Sequence, residues 1–152
     1  MESYGELLPS FCAYLDLLGF SDAIKEAYAQ KREKHLLVEI SEAFDKSAAR
    51  LNEDHERGES SGPVTVKFFT DNVVVSYRRF HFFENELWYL CWLLADYQFA
   101  MARKGFFMRG GISTGTLANN DRIVFGDALL KAHELENNAA LTGFTFLVQS
   151  MS

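Results

Sequence analysis

Two aspartates lie in surroundings where a carboxylate group is costly. Asp16 stands within FCAYLDLLGF, and Asp71 stands between the apolar runs FF and VVV. Desolvating an unpaired ion costs several kcal/mol or more, so each acid needs a cation or strong hydrogen bonds. Mg²⁺ and Mn²⁺ prefer carboxylate oxygens and leave positions open for phosphate. The pair predicts a divalent-metal site, and the alternative is an ordinary strand end with an ordinary turn.

The residues after Asp16 predict a phosphate site beside the metals. Gly19 ends the apolar run, and Ser21 with Asp22 is typical of a helix N-cap followed by a first-turn acid. Backbone N–H groups at a helix start can cradle a triphosphate. We therefore expect Gly19, Phe20 and Ser21 to contact phosphate next to the metal-binding acids.

The alternation and spacing of apolar residues predict how these groups are positioned. Short β-rich runs alternate with segments whose apolar residues recur at helical spacing, which predicts an α+β domain. We expect one mixed, largely antiparallel sheet with helices packed on one face, leaving the other face free for binding. The predicted strands are FCAYLDLL, VTVKFFT, NVVVSYR, FFMRGGISTGTL, residues 122–125 and GFTFLVQS. One predicted helix begins at Ser21, and three more cover 33–51, 87–101 and 127–137. Residues 52–63 are predicted to form a surface connection.

The composition limits the classes of function. A chain of 152 residues that is 48% hydrophobic fits one domain with a real core. A net charge of −6 disfavours nucleic acid or an anionic membrane as the main partner. Cys12 and Cys91 lie in apolar stretches, which favours buried thiols in a reducing compartment. Neither a secretory signal nor an apolar run of membrane-spanning length is visible, so we expect a cytoplasmic protein.

Four segments resemble the class III nucleotidyl cyclases, and they occur in that family's order over nearly the whole chain. AYLDLLGFSDAI is similar to the opening block, an apolar strand ending in aspartate and followed by a glycine-phenylalanine turn. KFFTDNVVVSY resembles the second block, FMRGGISTG the third, and FGDALLKAHELE the helix block. The resemblance implies a ferredoxin-like cyclase catalytic domain over residues 1–152. Family domains add a strand pair after the position of GFTFLVQS. The chain could therefore be a truncated domain or a naturally minimal one.

The resemblance also implies a reaction and a set of ligands. The nucleotide 3′-hydroxyl attacks its own α-phosphate, releasing pyrophosphate and a 3′,5′-cyclic nucleotide. By matched position, Asp16, the backbone carbonyl of Leu17 and Asp71 hold two Mg²⁺ or Mn²⁺ ions. Such a two-metal arrangement suits in-line displacement. The family places each site between two subunits, which implies a homodimer.

One pair of positions departs from the family pattern. Leu130 and Glu134 stand where the family has its transition-state asparagine and arginine, and neither can stabilise a pentavalent phosphate. Arg109, Lys131 or a residue elsewhere could supply the missing cation, and Arg109 could equally be a structural strand residue. The substitutions also leave open a catalytically silent cyclase-like domain that binds nucleotide or only dimerises.

Two residues bear on the choice of base. Lys67, four positions before Asp71, matches a base-contacting position, and Ile123 stands where purine cyclases place a polar residue. A buried isoleucine would leave the adenine amine of ATP unsatisfied, which costs roughly 1–3 kcal/mol, so a smaller pyrimidine base is easier to accommodate. TDNVVVS and RGGISTG resemble the bacterial pyrimidine cyclases of the Pycsar anti-phage systems. That resemblance implies cyclic UMP or cyclic CMP, which a separate effector protein senses; an ATP or GTP cyclase is the alternative.

Overall fold

The computed structural model describes residues 5–56, 64–69, 71–79, 83–120, 122–138 and 143–146. The described residues form one sheet of strand order β2-β3-β1-β4-β5, in which β6 pairs with β4 in parallel and all other pairs are antiparallel. The predicted mixed, largely antiparallel α+β fold is confirmed. The elements in chain order are β1 (Leu8–Leu18), α1 (Phe20–Ala29), α2 (Glu33–Glu56), β2 (Val64–Phe69), β3 (Asn72–Arg78), α3 (Phe83–Arg103), β4 (Phe107–Asn119), β5 (Val124–Phe125), α4 (Asp127–Asn138) and β6 (Gly143–Phe146).

Strand β1 is the centre of the sheet because its side chains are apolar on both faces. Its odd-numbered residues, such as Phe11 and Leu15, enter the main core beneath α1, α2 and α3. Its even-numbered residues lie on the opposite face, where Cys12 joins a smaller core with Ala128 and Ala132 of α4. Asp16 is even-numbered, so the strand's one acid lies on the α4 face.

The position of α4 corrects the expectation that all helices pack on one face. Helices α1 to α3 supply or border the main core, whereas α4 packs against the opposite side of β1 and β4. The helix is also tied to the sheet by the buried hydroxyl of Ser113, which donates to the carbonyl of Ala128. Part of the face expected to be free for binding is therefore covered by a helix.

The glycines of RGGISTG make this packing possible. A Cβ atom at Gly111 would lie 2.5 Å from the carbonyl oxygen of Ala132 and 2.5 Å from the Cβ of Leu135. At Gly115, an added Cβ would meet chiefly the carboxyl group of Asp127 at 2.5 Å. Strand β4 thus omits side chains where the backbone of α4 approaches it most closely.

Several predicted boundaries differ from those observed. Helix α1 begins at Phe20 and not at Ser21, because Gly19 adopts the left-handed conformation (φ 71°) and is itself the N-cap. Strand β1 begins earlier than predicted, at Leu8. Helix α2 continues to Glu56, five residues beyond Leu51, so part of the predicted surface connection is helical. The rest of that connection, 57–63, and the end of GFTFLVQS after Phe146 lie outside the described residues.

Both cysteines are free thiols, and Cys12 is buried. Burial raises the pKa of the Cys12 thiol to about 12, so it behaves as a small apolar core residue. Within the described ranges, no helix combines the length and apolar character needed to cross a membrane.

We predict that Gly111→Ala destabilises the protein by about 1–3 kcal/mol, because the new methyl group collides with the backbone of α4. Gly115→Ala is the graded control, since its closest contact is a side chain that can move. Urea denaturation followed by circular dichroism measures both variants. Equal stabilities of the two variants would contradict this account of the helix packing.

Candidate active site

Both predicted metal-binding aspartates lie at the same end of the sheet. Asp16 is in register with Asn72 of β3, and the backbone N–H of Leu17 donates to the backbone carbonyl of Asp71 at 2.8 Å. The side chain of Asn72 donates to Asp71 Oδ1 at 2.8 Å, which fixes that carboxyl group at the start of β3. The β2–β3 turn therefore sits directly beside the C-terminal end of β1.

Arg109 of β4 connects Asp16 to helix α4. It is in register with Asp16, and its Nη2 lies 3.3 Å from Asp16 Oδ2. Its Nε lies 2.8 Å from Oε1 of Glu136, whose side chain is only 5% exposed. A buried carboxylate requires such a charged hydrogen-bond partner. Of the two interpretations of Arg109, the geometry favours a structural arginine that also orients Asp16.

Tyr14 lies near the carboxylates of the candidate site, and they affect its pKa. Burial raises the pKa of Tyr14, and the nearby carboxylates of Glu136, Asp16 and Asp71 raise the pKa further because they oppose formation of a phenolate. The Tyr14 ring packs edge-on against His133 of α4, with 4.7 Å between ring centroids. Three carboxylates against the single guanidinium of Arg109 leave net negative charge among these groups, which favours binding of a cation.

The turn after β1 leads directly into α1 at the predicted phosphate-binding residues Gly19, Phe20 and Ser21. Gly19 supplies the left-handed conformation that a side chain would strain, and its carbonyl accepts the N–H of Ala23 at 3.0 Å. Phe20 is buried and packs edge-on against Phe106, so its side chain anchors the turn to the main core. Ser21 is exposed. The first N–H groups of a helix have no intrahelical acceptor and are suited to an anion.

Lys67 and Ile123, the two residues predicted to contact the base, lie close together. The Lys67 ammonium group donates to the backbone carbonyls of Asn120 and, at 3.3 Å, Ile123. Ile123 is 53% exposed, so the expectation of a buried isoleucine is wrong. The side-chain oxygen of Asn120 accepts the N–H groups of Arg122 and Ile123, and this turn directs the isoleucine side chain outward.

The side chain of Lys131 pairs with Asp127 and not with Asp16 or Asp71. Its Nζ lies 2.9 Å from Asp127 Oδ2 in the first turn of α4. The hydrogen bond from Lys131 and one from the backbone N–H of Thr116 hold the pKa of Asp127 below its usual value. Lys131 precedes Glu136 by five residues, about 7.5 Å along the helix axis. Leu130, at 65% exposure, and the exposed Glu134 lie on the outer side of the same helix.

Glu136, the buried partner of Arg109, is a site residue that no motif in the sequence indicated. A signal was present in the spacing of α4, where the buried residues are Ala128, Ala132 and Glu136 at intervals of four. The acid therefore continues an inner helix face that otherwise holds small apolar residues. An inward-facing acid on such a face requires a cation on the facing strand, and Arg109 is that residue.

The oxygen donors at this end suit Mg²⁺ or Mn²⁺. Asp16 and Asp71 offer carboxylate oxygens from adjacent strands, and the peptide of Leu17 links them through its hydrogen bond to Asp71. These are hard oxygen donors of the kind that both ions prefer. Within the part of the chain that the structure describes, no group of three or more His, Cys, Asp or Glu side chains forms a metal cluster. The candidate donor set therefore consists of two carboxylates and a backbone carbonyl.

Comparison with known proteins supports the fold. No family model matches the chain, and no curated protein matches its sequence. Among solved structures, the chain is similar to the monomeric guanylyl cyclase domain of the RhoGC fusion protein from the aquatic fungus Blastocladiella emersonii, with a TM-score of 0.65 and 12% identity over 93% of this chain and 82% of that one. The chain thus has the fold of a class III cyclase domain.

We predict that Arg109→Met lowers the free energy of unfolding by about 3 kcal/mol, because it leaves the buried carboxylate of Glu136 without its cation. Adding Glu136→Gln should recover part of this loss, since the unpaired charge is then gone. Lys104→Met, which breaks the more exposed pair with Glu42, is the control and should cost less than about 1 kcal/mol. Urea denaturation measures all three. A double variant no more stable than Arg109→Met would argue against the pairing.

Proposed function

We propose that the protein is a metal-dependent nucleotidyl cyclase. The observation that carries the proposal is the position of Asp16 and Asp71 at one sheet end, linked by the Leu17–Asp71 hydrogen bond and followed directly by the N-terminus of α1. Metal-binding acids and an anion-binding helix start are thus adjacent, as a nucleoside triphosphate with its metal ions requires. The fold shared with a guanylyl cyclase domain agrees with this function.

In the proposed reaction, Asp16, Asp71 and the carbonyl of Leu17 would hold two divalent ions, and the first N–H groups of α1 would bind the triphosphate. The bound ions would assist deprotonation of the 3′-hydroxyl and neutralise charge on the phosphates. The 3′-oxygen forms a bond to the α-phosphorus, the bond from that phosphorus to the bridging oxygen breaks, and pyrophosphate leaves. The hydroxyl proton passes to solvent. Arg109 acts as a positioning residue by holding Asp16.

We further propose a pyrimidine substrate, UTP before CTP. The Lys67 ammonium group has three N–H donors, and the two carbonyl contacts engage two of them. The third can bind a base carbonyl, which uracil, cytosine and guanine have and adenine lacks. Ile123 offers no side-chain acceptor for an adenine amine, an argument that rests on its residue type and not on burial. The product, cyclic UMP or cyclic CMP, would serve as a cytoplasmic anti-phage signal for a separate effector.

The proposed enzyme is a homodimer joined through the α4 face. Leu130 of this helix is 65% exposed in the single chain, and Ile123 and Phe125, next to and within the adjoining strand β5, are 53% and 63% exposed. An exposed group of this kind is typical of a protein interface. The fungal cyclase domain is described as monomeric, so this dimer is a proposal for the present chain.

Two alternatives have specific support. The fungal neighbour is a guanylyl cyclase domain, which favours GTP as substrate. The ion pair between Arg109 and Asp16, together with Leu130 and Glu134 at the transition-state positions, favours a domain that binds nucleotide without turning it over. Product analysis separates these alternatives from the pyrimidine cyclase.

We predict that the protein incubated with Mn²⁺ and each of the four ribonucleoside triphosphates forms 3′,5′-cyclic UMP most rapidly and cyclic CMP second. Mass spectrometry of the products measures this, and release of pyrophosphate in equal amount is the balance check. A cyclic purine as the main product would overturn only the choice of base. No cyclic product from any of the four would overturn the proposed enzyme activity and favour the silent domain.

We predict that Asp16→Asn and Asp71→Asn each reduce turnover by at least about 100-fold, because each removes a carboxylate that holds an ion worth several kcal/mol of transition-state stabilisation. Both variants should also bind Mn²⁺ more weakly, as measured by electron paramagnetic resonance of the free ion. Asp45→Asn, an exposed acid on α2, is the matched control. Wild-type Mn²⁺ binding in both site variants would remove the metal assignment even if turnover fell.

A further inference from the structure

Helix α3 carries a stripe of exposed residues on the side away from the sheet. Trp88, Trp92, Ala95, Phe99 and Arg103 follow at intervals of four, three, four and four, so they lie along one side of the helix. Trp88 is 70% exposed, Trp92 41% and Phe99 64%. The opposite side of α3 is buried in the main core through Leu90, Leu94, Tyr97 and Met101. The exposed stripe is therefore additional to the residues that fold the domain.

The spacing of the stripe is that of a helix–helix contact. Large apolar residues alternating at three and four are the pattern by which one helix packs along another. Ala95, at the middle of the stripe, has the smallest side chain and permits close approach of two helices. Three exposed aromatic side chains in one line exceed what isolated surface residues would explain.

The two ends of the stripe are complementary to each other. Trp88 lies near the start of α3, and Arg103 lies in its last turn. When two copies of α3 cross antiparallel at Ala95, Trp88 of one copy lies opposite Arg103 of the partner subunit, and Trp92 lies opposite Phe99 of the partner subunit. The first pair is a cation–π contact and the second an aromatic pair. A stripe that matches its own reverse suits a two-fold interface.

A cavity adjoins the Arg103 end of the stripe. It has a volume of about 350 Å³, lies between α2 and α3, and is lined by Ala43, Lys46, Asp96, Phe99, Ala100, Arg103 and Lys104. Phe99 and Arg103 belong both to this lining and to the stripe. In the antiparallel arrangement, the indole of the partner subunit's Trp88 lies at the mouth of this cavity, where Lys46 and Arg103 offer further cationic contacts.

We propose that α3 is a self-association surface, joining two copies of this chain in an antiparallel helix pair centred on Ala95. The occupant is a second copy because Trp88 at one end of the stripe is complementary to Arg103 at the other end. From the exposed fractions, the three aromatic side chains would bury roughly 400 Å² per subunit, which is small for a stable interface and typical of weak, concentration-dependent association. Because α3 and α4 lie on opposite faces of the sheet, this interface is independent of the catalytic dimer.

The interface has a consequence for assembly. A chain with two different two-fold interfaces on opposite faces forms a closed tetramer or a longer assembly, and either one is larger than a dimer. The α3 contact therefore links catalytic dimers to one another. It does not depend on the proposed cyclase activity, because none of its residues belongs to the candidate active site.

Sedimentation equilibrium of the whole chain over a concentration series tests the proposal. Ala95→Glu places two like charges opposite each other at the centre of the stripe and should weaken self-association at least tenfold. The variant should then assemble no further than the catalytic dimer. Tyr28→Glu, which replaces a 65% exposed aromatic residue on α1, is the matched control and should associate like wild type. Equal association of Ala95→Glu and wild type would overturn the interface.

A cross-linking experiment identifies the contact directly and uses a different substitution. In a Cys91→Ala background, Ala95→Cys should form a disulfide-linked dimer under mild oxidation, since both copies of residue 95 meet near the two-fold axis. Tyr28→Cys in the same background should form no more linked dimer than the background protein. Failure of the Ala95→Cys protein to cross-link above this control would overturn the proposal, whatever the oligomeric state of wild type.

Discussion

The ion pairs of Arg109 hold the candidate active site together. One guanidinium contacts Asp16 on the central strand and the buried Glu136 on α4, so it joins the sheet to the one helix that covers the same face. An arginine provides several donors in a rigid plane, which lets it satisfy two carboxylates in fixed directions. The seat of α4 and the orientation of Asp16 therefore depend on the same group. Arg109 therefore contributes both to the candidate active site and to the stability of the fold.

The two faces of the sheet have different roles because the side chains of a strand alternate. Odd-numbered residues of β1, with their neighbours on β3 and β4, form the main core under three helices. Even-numbered residues carry Asp16 and the small core beneath α4. Glycines at 111 and 115 let α4 lie close to β4, which leaves Glu136 within reach of Arg109. The acidic site therefore lies on the sheet face opposite the main hydrophobic core.

Sequence reasoning was most successful where local patterns determine structure. Alternation and helical spacing predicted the order of the elements and the mixed sheet, and the structural neighbour at 12% identity confirms the fold. Ends of elements were harder: the N-cap of α1 is Gly19 because backbone conformation, and not a capping hydroxyl, starts that helix. The expected burial of Ile123 failed because a turn built on the Asn120 side chain directs the isoleucine outward.

The sequence by itself determined which residues could do chemistry: two aspartates in apolar runs, a glycine turn and a lysine near the second aspartate. These signals are local, because an apolar run predicts burial from its own residues and a carboxylate within a buried run is costly. Only the tertiary structure decided which groups meet. It tied Arg109 to Asp16 and Glu136, held Lys131 on Asp127 away from the aspartates, and put α4 on the face opposite the other helices. Such contacts join residues far apart in the chain, and their distances follow from how α4 packs on β4, which no local pattern contains.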